Sequence, residues 1–167
     1  MTHNRNSVLE KILLFFVVTA CCFSLAGCND RKKVEQYNKD FSAAIGQITS
    51  ASAQMTDAVN KISAEFSEEN RQAVLKAVED MKAGYHALAA LEAPRKYADV
   101  QAIFKESSDL FDQAAQIYTE EFTKVTLETF DEKFVERLKK GDEMFSKAYQ
   151  RLSDGFVRGQ EINEGKN

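Results

Sequence analysis

The stretch VEQYNKDFSAAIGQITSASAQMTDAVNKI, residues 34–62, decides the fold. Val34, Phe41, Ile48, Met55 and Ile62 recur every seven residues, and Tyr37, Ala44, Ala51 and Ala58 fall between them at the same period. Spacings of three and four place both columns on one side of an α-helix, whereas a half-buried strand needs strict alternation. Ile45, Val59 and Phe66 flank the stripe. The apolar face is therefore wider than a two-column coiled-coil seam and suits a bundle.

Working outward, the pattern repeats three times. Ser67 followed by Glu68 and Glu69 reads as a helix start, an oxygen cap with acids at the positive end of the dipole. That second helix is expected to run to about Leu91, with Val74, Leu75, Val78, Met81, Tyr85, Leu88 and Leu91 inward. Pro94 breaks it and suits the first turn of the next helix. A third helix, Arg95 to Thr126, repeats Tyr97, Phe104, Phe111, Tyr118 and Val125, with Val100 and Ala114 between them and Ile103, Leu110 and Ile117 alongside. Thr129 and Glu132 have capping-box spacing for a fourth helix from Phe130, with Phe134, Leu138, Phe145, Ala148, Leu152 and Phe156 facing in. Gly155, Gly159 and the polar tail point to fraying at the end.

Four amphipathic helices with short connections predict an all-α fold: an antiparallel up-down-up-down four-helix bundle with coiled-coil-like packing over residues 34–161 and a disordered tail at 162–167. Helix one is longer than helix two by about 10 residues, so its start either stands clear as a stalk or is covered by helices three and four. One proline and seven glycines in 167 residues disfavour an all-β alternative, which needs frequent turns.

The first 27 residues read differently. Arg5 and Lys11 precede the apolar run Ile12 to Gly27, which is short for a membrane span. This is the layout of an export signal. The end of the run, Leu25-Ala26-Gly27-Cys28, resembles the bacterial lipobox: an aliphatic residue, two small residues and a cysteine. The resemblance implies cleavage between Gly27 and Cys28, a diacylglyceryl group on the Cys28 sulfur (with a further N-acyl chain in some members), and a domain outside the cell membrane or the outer membrane. Val18-Thr19-Ala20-Cys21 is a second match, set aside because its apolar run is too short and it leaves an apolar stub. An uncleaved anchor helix is the competing reading. Residues 28–33 then form a lipidated start and a short basic tether, Arg31-Lys32-Lys33. The whole also resembles small helical-bundle lipoproteins of bacteria, with Leu91-Glu92-Ala93-Pro94-Arg95-Lys96-Tyr97 between two amphipathic helices; this implies a fold and an address, and no activity.

Chemistry is sparse. Cys21, Cys22 and Cys28 lie in the first 28 residues, so the mature domain would hold no free thiol. Removing residues 1–27, net +1, takes the charge from −4 to −5, which disfavours nucleic acid. His86 lacks the glutamate three residues earlier of di-iron bundles, because position 83 is Ala83. The pairs Glu68-Glu69, Glu120-Glu121 and Asp131-Glu132 are consecutive and diverge by about 100° on a helix. Met55, Met81 and Met144 fit apolar stripes. No catalytic, metal or cofactor site is expected.

Two features remain. Helix one carries an uncharged outer face, Ser42, Gly46, Gln47, Thr49, Ser50, Ser52, Ala53, Gln54 and Thr56, where a solvated helix usually carries charge. The mature phenylalanines suggest an aromatic core, or a pocket for an apolar ligand. The expectation is a non-enzymatic binding or scaffolding module of the cell envelope, its partner another envelope protein or a second copy docking on helix one; the alternative is an apolar ligand or cofactor in the core.

Overall fold

The computed structural model describes residues 31–165; residues 1–27, expected above to be an export signal ending at Gly27, and Cys28 lie outside the described residues. Four helices make up the fold: α1 (Arg31–Ala64), α2 (Glu68–Ala89), α3 (Ala98–Lys124) and α4 (Glu132–Asn163). Among the described residues there is no strand. α1 packs along α2, α2 along α3 and α3 along α4, so the short connections reverse the chain each time. α1 and α4 close the circle differently. Their backbones barely approach, and large side chains such as Phe41 and Phe156, ring centroids 5.8 Å apart, fill the space.

Every member of the seven-residue columns in α1 is buried except Met55, which is half-buried. Arg31-Lys32-Lys33 are the first turn of α1 rather than a tether. No stalk follows them. Val34, Tyr37 and Phe41 are buried, under the α2–α3 connection and the ends of α3 and α4. The Tyr97 ring stacks on Tyr37 at 5.8 Å, and Phe104 lies 5.7 Å from Phe41.

The helix ends are set by side chains. Ser67 caps α2, accepting from the Asn70 N–H at 3.1 Å. Gln101, buried on α3, donates Nε2 to the carbonyls of Leu88 and Ala89 at 2.9 Å each and so closes the far end of α2. Arg71 donates to the carbonyls of Phe122 and Thr123 near the end of α3. These are the end groups a helix leaves unsatisfied. Neither long-range capping residue is evident from local sequence.

Three expectations are corrected. Helix three begins at Ala98, because Arg95–Tyr97 wind into a 3-10 turn capped by Pro94. The capping box lies at Thr126 and Thr129, which close a second 3-10 turn at Leu127–Thr129; Asp131 caps α4, accepting from the Phe134 N–H at 2.9 Å. Thr129 is thus engaged upstream and does not pair with Glu132. Gly155 and Gly159 do not mark a frayed end. Both are buried, and α4 continues to Asn163.

Gly84 and Gly141 mark close crossings. A Cβ on Gly84 would stand 2.8 Å from Ile48 Cγ1 and 3.1 Å from the Ile48 backbone nitrogen, while one on Gly141 would meet the Tyr118 ring at 3.0 Å. The tightest is Gly155, where a Cβ would fall 2.3 Å from Phe104 Cε1. That ring cannot retreat, since Phe41 and Phe156 pack against it. Gly46 is the contrast, with no heavy atom within 4 Å of its would-be Cβ. Gly155→Ala should therefore destabilise by about 1–3 kcal/mol through overpacking. Gly46→Ala should stabilise by about 1 kcal/mol through helix propensity. Urea unfolding of the two variants checks this; a gain from both would contradict the close approach of α3 and α4.

Candidate functional site

The residues with potential chemistry are spread apart. His86 and Asp112 face each other across α2 and α3, with His86 Nε2 2.8 and 2.9 Å from the two carboxylate oxygens. Lys82 Nζ lies 3.4 Å from the same carboxylate. His86 is exposed, and the three form a solvent-edge link between helices. Among the described residues no three His, Cys, Asp or Glu side chains gather as a metal site would require.

Of the acid pairs, Glu68, Glu120, Glu121 and Asp131 are taken up in local contacts, while Glu69 and Glu132 are exposed. Glu68 accepts from Arg71 and Gln72, and these hydrogen bonds hold its carboxyl down at about 2. Glu121 meets Arg137 at 2.6 Å, Glu120 accepts from Gln116, and Asp131 is a cap. Met55, Met81 and Met144 sit in the core or at its margin.

The phenylalanines of the described residues pack on one another. Phe111 lies between Tyr85, stacked at 4.5 Å, and Phe145, edge-on at 5.8 Å. Phe122, Phe134, Phe130 and Phe66 form a chain at the opposite end from Tyr37, at 5.1 to 5.3 Å. A shallow depression of about 550 Å³ occurs beside the α2–α3 connection, lined by Leu91, Ala93, Ala98, Gln101, Ala102 and Lys105 among others and by no aromatic ring. Sequence reasoning did not anticipate it, because five of its nine lining residues are alanines, which carry no pattern of their own.

The outer face of α1 remains the broadest feature. Ser42, Ala43, Gly46, Gln47, Ser50, Ala53 and Gln54 are exposed. Ser52 is buried, and the hydroxyls of Thr49 and Thr56 turn back to the carbonyls of Ile45 and Ser52 at 2.8 and 3.0 Å. The face thus presents small groups and side-chain amides, without a charge from Phe41 to Thr56. It lies on the part of α1 turned from the core, where the bundle itself leaves it uncovered.

The buried tyrosines are perturbed but structural. Burial, and to a smaller degree the nearby Tyr97, pushes Tyr37 up to about 12. Burial also raises Tyr85, and burial followed by the Asp142 charge and hydrogen bond raises Tyr118, whose hydroxyl donates to that carboxylate at 2.7 Å. Below their ordinary value of 10.0 these phenols are protonated in folded and unfolded chains alike. Above it the unfolded chain releases protons that the folded one retains, so stability falls as pH climbs from 10 through about 12. An alkaline absorbance titration should show these three ionising only as the helical signal is lost. Ionisation of all tyrosines near pH 10 in the folded protein would contradict it.

No curated protein and no solved structure matches the chain. Residues 31–149, the whole of α1 to α3 and more than half of α4, match the family described as Domain of unknown function (DUF7018). A match over that much of the chain places it: the protein belongs to the DUF7018 family.

Proposed function

We propose that this protein is a lipid-anchored, extracytoplasmic binding or scaffolding module of the cell envelope, non-enzymatic, presenting the neutral face of α1 to another envelope protein or a second copy. One observation carries the reading: the uncharged outer face of α1 stays exposed when the bundle is complete. Small side chains let another helix approach closely, and amides and hydroxyls satisfy polar groups without the desolvation cost of a charge. The anchor rests on Leu25-Ala26-Gly27-Cys28 and its resemblance to the lipobox. It is compatible with the absence, among the described residues, of any helix long and apolar enough to cross a membrane.

Two experiments test the two halves. Cys28→Ser should abolish acylation and cleavage, leaving the uncleaved precursor mass; an unchanged mature mass with acyl label retained would refute the anchor. A photo-crosslinking residue at Ser50 should give one discrete adduct in the native envelope, while the same group at exposed Gln113 on α3 should give none. Equal, diffuse labelling at both positions would count against docking through α1.

A further inference from the structure

The end of the bundle where α1 begins carries basic residues from two distant parts of the sequence. Lys32 and Lys33 are exposed on the first turn of α1. Arg95 and Lys96 are exposed on the α2–α3 connection, 63 positions on from Lys32 and Lys33, and the fold brings them to the same end. The join is direct: the Tyr37 and Tyr97 rings stack at 5.8 Å, and Lys96 Nζ stands 4.5 Å from the Tyr97 ring centroid. The tip of α4 arrives there too, with Asn163 accepting from the Tyr97 hydroxyl. Of the acids at this end, Asp99 and Glu161 face Arg158 at 3.7 and 3.1 Å, Glu164 accepts from Gln160 at 2.9 Å, and Glu35 is exposed on the first turns of α1. Glu92 is the exposed acid on the connection. The opposite end carries more acid than base, with Glu65, Glu68, Glu69, Glu128, Asp131 and Glu132 exposed against Lys61, Lys124 and Lys133, and with Glu68 paired to Arg71.

We infer that this basic end rests directly on a membrane surface of anionic headgroups, with Arg95 and Lys96 joining Lys32 and Lys33 in contact with lipid phosphates. The inference rests on the lipid-anchor reading above and adds an orientation to it. Chain length supplies the argument. Cys28 is three residues before Arg31, and three residues span at most about 11 Å when fully extended. The polar layer of a bilayer is itself roughly 5 to 8 Å thick on each side. With the first turns of α1 buried in the bundle, no stalk remains to lift the domain away. Held that close, the cluster Lys32, Lys33, Arg95 and Lys96 faces anionic lipid favourably, and the more acidic end points outward.

The chain contains no tryptophan, so single reporters can be placed. Acylated full-length protein carrying Glu92→Trp, beside the basic set, or Leu127→Trp, 71% exposed at the far end, is reconstituted in phosphatidylcholine–phosphatidylglycerol vesicles containing brominated phospholipid. Quenching is expected at position 92 and not at 127. It should be lost on pure phosphatidylcholine, and lost again when Arg95→Glu and Lys96→Glu are added, two exposed changes whose helical signal is checked in parallel. An acylated protein quenched no more at 92 than at 127, or quenched equally with and without the charge reversals, overturns the orientation alone. A mass spectrum showing no acyl group on Cys28 overturns the anchor, and the orientation with it.

Discussion

The start of α1 is held by aromatic rings. Tyr97 stacks on Tyr37, and Phe41 packs against Phe104 and Phe156, so one short stretch of α1 is joined to the α2–α3 connection, α3 and α4. Burying each ring contributes roughly 1.5–3 kcal/mol, and well-oriented pairs add about 0.5–1.5 kcal/mol each. The turns involved extend beyond α2, which ends at Ala89, and without the rings they would have no partner. With them, α1 is part of the bundle from its first turns.

The rings fit because glycine and alanine clear room for them elsewhere. Gly155 makes the space that Phe104 occupies, and Gly141 admits Tyr118. Buried Ser107 donates to the Ala148 carbonyl at 2.6 Å, where α3 and α4 run close. Three helix pairs thus run close together, while the backbones of α1 and α4 barely approach and large side chains fill the space between them. The uncharged residues of α1 lie on its other side, turned from the core, where no helix of the bundle covers them.

The columns of α1 and α3 were legible in the sequence because period seven is a property of the chain itself. Ser67 was legible too, as a cap with acids behind it. What escaped depended on choices between near-equal local options. Thr129 has capping spacing both to Thr126 upstream and to Glu132 downstream, and the 3-10 turn takes the first while Asp131 caps α4. Gly155 and Gly159 resemble breakers when read alone, and only the Phe104 ring beside Gly155 explains a buried glycine there. The neutral face of α1 could be seen as a gap in charge. The basic end could not, since Lys33 and Arg95 are brought together only by a bundle whose connection folds over Tyr37.

The proposed orientation requires α1 to lie inside the bundle from its first turns, since a free stalk would let the domain stand away from the membrane and turn. Native-state amide hydrogen exchange measures this directly. Amides from Tyr37 to Phe41 should be protected to nearly the same degree as those from Ile48 to Ala58 in the middle of the helix. Exchange at Tyr37 to Phe41 as fast as in an unstructured peptide, with the middle of α1 still protected, would contradict it.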